Sequence, residues 1–447
     1  MRKKPRRRGC EKGGASVFRG RIVWLAPRPG FRMLRGAGRL DGDAHPVGSA
    51  HSPDRSSLMK RIRVLFIIHT LESGGAEGQL VEWLQALPPG EFDRRVVCLV
   101  KGGFHEKAVR DLGIPIEILG YRPMRRPDGS LDVGAALTGI PALWRLVRIL
   151  RHFRPHVVHT LLLMSDVLGA LALPLSRVRG IRLVGSRLAL TDCARIGRFR
   201  QRVLRWSIDR TDVLFCNSRA VAEDAIRTQG ADPEKIATIY NGVDWPRFQV
   251  APEVRETTRS SLGLGRGDQA IGCVAQLRPE KDHPSLFRAF AALNQSFPGL
   301  RLFLVGGGNR EPALRALAKQ LGIEDRVVFL GVRGDIPEGL SAFDLAVLPS
   351  RTEGFSNVLL ETMAAGLPIV ATRVGGNSEA LDEGRCGILV APNDPDALAE
   401  GIRTLLRNPE EARRLGEAAR VRARDHFSLE TLHGNLRRFY KELVSRP

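Results

Sequence analysis

From residue 62 onward the chain alternates short Val/Ile/Leu-rich runs with segments of helical period, and it does so twice. The first series is "IRVLFIIH", "RRVVCLV", "IEILG", "HVVHTL", "IRLVGS" and "DVLFCNS"; the second is "AIGCVAQL", "RLFLVGG", "RVVFLG", "LAVLPS", "PIVAT" and "GILV". Short continuous apolar runs separated by helices mark strands of a parallel sheet, because helical crossovers cover both of its faces and leave no polar side. Two such series in 447 residues predict an α/β protein with two facing Rossmann-like domains of about 200 residues each. Open parallel sheets bind ligands at the carboxyl ends of their strands, so the cleft between the two is the place to search.

Four segments are expected: a basic extension over 1–58, a first domain over 59–243, a second over 244–427, and a terminal helical segment over 428–447. A hinge is expected in "IATIYNGVDWPRF", 236–248, on the Asn241-Gly242 turn. The formal charge of +21 calls for an anionic partner, but its location matters. Residues 1–58 hold 14 Lys and Arg against 4 Asp and Glu, so nearly half of the charge sits in that extension. Rich in Arg, Gly and Pro, the extension reads as disordered. Met59 opens the first strand directly in "MKRIRVLFIIH", so it is the expected natural start. The patch "IVWLA" is too short for a signal-peptide core, and "LLLMSDVLGALAL" is broken by Ser165 and Asp166, so no membrane span is expected. Six cysteines without CxxC spacing read as buried free thiols in a reducing, cytoplasmic setting.

The cleft loops carry the chemistry. After the first strand, "TLESGGAEG" places Gly74 and Gly75 before a helix whose free N–H groups suit a phosphate, although a plain tight turn fits equally well. On the opposite wall, "AQLRPEKDH" supplies Arg278 and Lys281, either solvated cations or the groups that neutralise a leaving diphosphate. Glycines 306–308 and 375–376 follow two further strands. In "TEGFSNVLLE", Glu353 precedes a helix capped by Ser356 or Asn357 and Glu361 lies inside it. Gly354 and the amides of Phe355, Ser356 and Asn357 suit phosphate, while the two carboxylates suit sugar and ribose hydroxyls.

These stretches, with "YNGVD", "AAGLPIVATRVGGNSE" and the closing "HFSLETLHGNLRRFYKEL", resemble the retaining GT-B glycosyltransferases of the GT4 type from about Ile62 to the C-terminus. The resemblance implies a GT-B fold and a nucleotide diphosphosugar donor as co-substrate, with no cofactor or essential metal. It implies that Glu353 contacts the sugar in catalysis, Glu361 holds the ribose, and Arg278 and Lys281 hold the diphosphate. It also implies that the acceptor proton passes to the leaving phosphate oxygen, and that residues 428–444 cross back to the first domain. Asp41-Gly42-Asp43 falls in the extension and reads as chance. Two positions depart from the family pattern: Gln276 where Arg is frequent, and Leu161 where a second His follows His159-Thr160. His159 reads as a packed strand-end residue, with an acceptor or sugar contact as the alternative.

Residues 177–210 hold ten Arg against Asp192 and Asp209. Arg198, Arg202 and Arg205 alternate with Phe199, Val203 and Trp206 in an amphipathic basic helix, and "IPALWRLVRILRHF" makes another. They are read as a surface for anionic lipid near a lipid-linked or glycan acceptor, or as ordinary helices with solvated Arg faces. The leading expectation is sugar transfer in cell-surface polysaccharide or lipopolysaccharide assembly, peripheral at the inner face of the plasma membrane. The alternatives are an epimerase of nucleotide sugars and a catalytically silent sugar-binding relative. Nucleic acid is set aside: much of the charge lies in the extension, and aromatic residues make up only 6% of the chain with no interleaved stacking set.

Overall fold

The computed structural model describes residues 23–24, 61–122, 136–191 and 198–445. The extension over 1–58 lies outside the described residues except for Val23–Trp24, here β1, whose backbone pairs in parallel with Ala237–Thr238. The first sheet continues with β2 (Ile62–Ile68), β3 (Phe92–Cys98), β4 (Ile116–Ile118), β5 (Val157–Leu161), β6 (Arg182–Arg187), β7 (Val213–Cys216) and β8 (Ile236–Thr238). Its order is β1-β8-β7-β6-β5-β2-β3-β4, parallel throughout. Its helices are α1 (Gly75–Ala86), α2 (Glu106–Asp111), α3 (Ala136–Phe153), α4 (Leu163–Ser176), α5 (Arg198–Asp209) and α6 (Arg219–Gln229).

The second sheet is β9 (Gln269–Val274), β10 (Leu300–Val305), β11 (Val327–Gly331), β12 (Leu345–Leu348), β13 (Ile369–Thr372) and β14 (Ile388–Val390), in the parallel order β11-β10-β9-β12-β13-β14. Its helices are α7 (Pro252–Ser261), α8 (His283–Leu293), α9 (Glu311–Gln320), α10 (Ile336–Ser341), α11 (Asn357–Ala364), α12 (Asn377–Ala380), α13 (Pro395–Arg407) and α14 (Pro409–Phe427), with α15 (Leu429–Ser445) after them. Each sheet reverses its strand order once, between β2 and β5 and between β9 and β12, and these switch points are where doubly wound sheets open a crevice.

Continuous apolar strands are explained by burial on both faces. Val64, Phe66 and Ile68 of β2 join a core that includes residues of α1 and α15, whereas Leu65 and Ile67 join another with residues of α3 and α4. In β10, Leu302 and Leu304 go to one face and Phe303 and Val305 to the other. Helix α15 belongs to the first domain's core through Leu432, Leu436, Phe439, Tyr440 and Leu443, spaced along one helical stripe. Arg437 Nε donates to Ala86 O at 2.7 Å and Lys441 Nζ lies 2.5 Å from Glu91, so polar contacts one turn apart also fasten the last helix to the first domain.

The hinge is narrower than expected. Residues 236–238 form β8 inside the first sheet, because Leu214, Phe215 and Cys216 of β7 pair with them. Ile239 still packs in the first core, and Val243 already packs in the second. There the outgoing chain meets the returning one: Val243 N donates to Phe427 O at 2.7 Å and Leu429 N to Val243 O at 3.1 Å. Two mutually bonded strands of chain therefore connect the domains.

For the basic helix α5, the second of its two readings, an ordinary amphipathic helix, is the one that the packing supports. Leu204 and Ile208 are buried against α6, and Trp206 packs on the cluster that holds α3 and α4, so its apolar side faces the protein. The side chains of Arg198 and Phe199 lie outside the described residues. Helix α3 buries Leu146, Val147, Leu150 and Phe153 but leaves Ile140 and Trp144 exposed. Among the described residues no helix is long and apolar enough to cross a membrane. Cys98, Cys216, Cys273 and Cys386 are buried and free, while Cys10 and Cys193 lie outside the described residues.

Candidate active site

The second switch point brings two loops together. After β9 the chain passes through a short turn, Pro279–Lys281, and Asp282 at φ 43 and ψ 42 reverses it into α8. After β12 it runs through Ser350, Arg351 and Thr352 to Glu353. Because β9 and β12 are hydrogen-bonded neighbours, their loops meet. Lys281 Nζ lies 2.5 Å from Glu353 Oε1, and Ser350 Oγ donates to the same oxygen at 2.6 Å. Arg351 N donates to Glu280 O at 2.8 Å, and Arg351 Nη2 reaches the fully buried Asp282 at 2.9 Å. The sequence-predicted acid and cation are thus one unit, with Glu353 Oε2 left to accept from a hydroxyl.

Helix α11 begins beside this pair. Ser356 is its cap, accepting from Leu359 N at 3.3 Å, and the first-turn N–H groups lack intrahelical partners. Phe355 is a buried anchor, its ring 4.9 Å from that of Tyr240 and 5.3 Å from that of Phe427. Asn357 Oδ1 and Phe355 O both accept from Asn241 Nδ2, at 2.7 and 3.0 Å, so the crossover turn braces the loop. Gly354 has a further reason to be glycine: a Cβ there would sit 2.1 Å from Leu188 O of the first domain. Gly375, at φ +49, lies as tightly on Glu353 O. Glu361 lies within α11. Burial pushes its carboxyl up to about 7, with Arg247 acting weakly the other way.

The first-domain wall is modified by a group that the sequence reading passed over. Glu77 Oε2 lies where a Cβ on Gly74 would be, so a carboxylate of the chain itself covers the start of α1. Burial raises its pKa, while its own backbone N–H and the charge of Arg278 oppose this. Gly74 caps α1 and Gly75 opens it, but phosphate at this helix end would have to displace Glu77. Arg278 is exposed; its charge is felt at Glu77, and it lines a small pocket with Asp282, His283, Arg310 and Arg351.

His159 is the packed strand-end residue of the first reading, and the alternative of an acceptor or sugar contact is corrected. It is fully buried, with Nδ1 2.6 Å from Tyr440 OH and Nε2 2.7 Å from Ser186 Oγ, and its ring stacks on Trp83 and Phe66. With both nitrogens engaged beneath the cleft, it has none to offer an acceptor or a sugar. Burial lowers its pKa to about 3.

A clasp joins the two walls. Glu379 of α12 accepts from Arg219 N at 3.0 Å, Ala220 N at 2.8 Å and Tyr240 OH at 2.8 Å, at the N-terminus of α6. Ser218 Oγ donates to Gly354 O at 3.0 Å nearby. Among the described residues no cluster of His, Cys, Asp or Glu is placed to hold a metal ion.

Two facing parallel sheets, a cation–carboxylate pair at one switch point and a return helix form a specific combination. Residues 73–245 match the family described as Glycosyltransferase Family 4, and residues 254–422 match Glycosyl transferases group 1. The chain belongs to the GT4-type glycosyltransferases. Its fold is GT-B: the Anabaena protein HepE, solved in complex with UDP, superposes with a TM-score of 0.74 at 24% identity, covering 85% of this chain and 100% of that one. WaaG, described as a glycosyltransferase involved in lipopolysaccharide biosynthesis, superposes with a TM-score of 0.65 at 19% identity, covering 86% of this chain and 100% of that one.

Among relatives of this chain, D-inositol 3-phosphate glycosyltransferase of Corynebacterium glutamicum is 32% identical over 53% of this chain and 59% of that one. The chain thus spans little more than half the length of relatives of this kind. A GDP-mannose-dependent alpha-(1-6)-phosphatidylinositol monomannoside mannosyltransferase of Mycolicibacterium smegmatis is 29% identical over 73% of this chain and 84% of that one. Within this GT4-type chain, sequence reasoning missed Asn241, Tyr240 and Glu379 as site-building residues. The signal was present in "YNGVD" and "GGNSE", but those stretches were read for their turns and glycines alone.

Proposed function

We propose that this chain is a retaining glycosyltransferase that moves a sugar from a nucleotide diphosphosugar to a hydroxyl of a lipid-linked or glycan acceptor in cell-surface glycan assembly. The observation that carries the reading is the Lys281–Glu353 pair at the second switch point, directly across from the carboxyl edge of the first sheet. When a diphosphate enters, Lys281 exchanges Glu353 for phosphate oxygens, and Glu353 is released to a sugar hydroxyl. As the bond from the anomeric carbon to the leaving oxygen breaks, charge develops on the diphosphate, and Lys281 with Arg278 neutralises it without solvent reorganisation. The acceptor oxygen bonds to the same carbon from the same face and its proton passes to the leaving phosphate oxygen, so no separate base is required. Glu361, with its carboxyl near neutrality, can accept from and donate to ribose hydroxyls. These cations do the work that a metal does elsewhere, and the reading includes no resident metal.

The surface supports a setting at the membrane. Ile140 and Trp144 of α3 and Leu171 and Leu175 of α4 are exposed on neighbouring helices, with Arg148 and Arg177 exposed beside them. Exposed apolar side chains with Arg on the same helices suit an anionic bilayer, and with the free thiols this supports a cytoplasmic protein at the inner membrane face. The test is to offer the purified protein UDP- and GDP-sugars with and without vesicles of anionic lipid. Donor binding and sugar transfer are expected; neither binding, hydrolysis nor transfer across the panel would defeat the reading.

A further inference from the structure

We infer that Leu162 is the acceptor-facing contact of the first domain, and that the acceptor presents an apolar alkyl, acyl or prenyl group beside its reacting hydroxyl. This rests on the transfer reaction proposed above. Leu162 has φ 72 and ψ 151. Arg177 and Asp282 also have positive φ, but at ψ 16 and 42 they fall in the ordinary left-handed well. Leucine at ψ 151 is in territory that glycine alone occupies readily.

Such a backbone persists only where its surroundings impose it. Leu161 on one side is fully buried. On the other, Asp166 N donates to Leu162 O at 3.2 Å, and the Asp166 carboxylate is gripped by Thr160 Oγ1 at 2.5 Å and Arg187 Nη1 at 2.7 Å. A turn that needed only this backbone would be served by glycine at no steric cost. A leucine held there against strain points to a use for its side chain.

Its position indicates the use. Leu162 follows β5 at the first switch point, with β2 paired on one side through Ile67↔Thr160 and β6 on the other through Leu161↔Ser186. The chain after β6 runs on to Leu188, whose carbonyl abuts Gly354 beside Glu353. Leu162 therefore stands on the first-domain side of the cleft, between the Gly74 loop and the segment that touches the donor wall, and it is 42% exposed. The polar groups of this turn face inward: Thr160, Ser165 and Asp166 are buried. A fully hydroxylated saccharide laid on Leu162 would lose water from its hydroxyls without gaining partners, whereas a hydrocarbon would bury apolar surface there.

The experiment titrates nucleotide-loaded protein, with UDP and GDP in separate arms, with octyl β-D-glucoside below its micellar concentration and with methyl β-D-glucoside. Wild-type protein is expected to favour the octyl compound by about tenfold or more, Leu162→Ala to reduce that preference to about threefold or less, and Leu162→Met to keep it. Leu162→Gly is expected to lose the preference while raising Tm, since it relieves the backbone. Equal binding of the two glucosides by wild-type protein, or an undiminished preference in Leu162→Ala, overturns the inference. Nucleotide binding is read in the same samples. If wild-type protein binds neither UDP nor GDP, the transfer reading fails and this inference with it; if nucleotide binds and Leu162→Ala changes nothing, this inference alone fails.

Discussion

Lys281 and Glu353 neutralise each other across 2.5 Å, so the site holds its cation and its acid in one bond, which entry of the proposed donor must break. Exchange of partners makes the two residues separable by kinetics. Glu353→Gln is expected to bind donor within about threefold of wild type and to slow turnover by about 10²–10³, the cost typical of losing a charge-stabilising group in the transition state. Lys281→Ala is expected to weaken donor binding as well as turnover, because the diphosphate is bound in both states. Isothermal titration with steady-state rates checks the split. A Glu353→Gln variant that loses binding but keeps its turnover would show the roles reversed.

Glu361 gives a pH signature. A carboxyl whose folded pKa is about 7 against 4.5 unfolded binds more protons in the native state between those values. Stability on its account is therefore undiminished below about pH 4.5, falls as pH rises through that window, and stays reduced above 7. Glu361→Gln removes the charge and should be more stable than wild type above pH 7 by on the order of 2 kcal/mol, the gap closing toward pH 4.5. Glu361→Ala should weaken donor binding by about tenfold, as expected for lost hydrogen bonds to ribose. Denaturant melts at several pH values check the first outcome; a gap that widens toward acid would contradict it.

How much of this was legible in the sequence depends on the range of the interaction. All twelve quoted apolar runs are strands, because burial on both faces leaves a local mark. Residues 236–238 were misread since "IAT" is too short to show a period and precedes a strong turn signal; pairing with distant strands, β7 over all three residues, makes it a strand. In the site, Ser356 was legible as a cap from residue type and position. The Lys281–Glu353 bond was not, since 72 residues separate them and strand order alone brings them together. Glu77 over Gly74 is a local fold-back whose acid was visible in "SGGAE", and it was overlooked in favour of the glycines. The apolar half of α5 was legible as amphipathic, but sequence cannot say whether such a half faces lipid or protein.

His159 and Tyr440 couple the return helix to the first core through 2.6 Å, and removing either should be felt as stability rather than activity. Tyr440→Phe keeps the ring and leaves His159 Nδ1 buried without a partner, at a cost of about 1–3 kcal/mol. His159→Ala also opens a cavity beside Trp83, so about 3–5 kcal/mol is expected. The histidine's folded pKa of about 3 against 6.5 unfolded means that its neutral form is favoured in the native state. Stability is thus lost as pH falls from about 6.5 toward 3, and His159→Gln should blunt that acid sensitivity. Guanidinium melts at pH 7.5 and 5 measure both; equal pH slopes in wild type and variant would rule out this group as the source.

Approach of the two domains depends on contacts that tolerate no extra atom. Gly354→Ala would place its methyl carbon 2.1 Å from Leu188 O, a backbone atom that cannot swing away. The domains must then stand farther apart, and the acceptor edge of the first sheet withdraws from Glu353. Turnover should fall by 10² or more, since misplacement on the order of 1 Å costs that much in an oriented reaction, while nucleotide bound to the second domain alone changes little. Glu379→Gln attacks the same approach from the far side: the two carboxylate oxygens accept separately from Arg219 N and Ala220 N, so in either orientation the amide nitrogen faces one of these N–H donors, which accepts nothing in return. Solution scattering should give a larger radius of gyration for both variants than for wild type. An unchanged radius together with normal transfer in Gly354→Ala would mean that the contact with Leu188 is not required for the reactive arrangement.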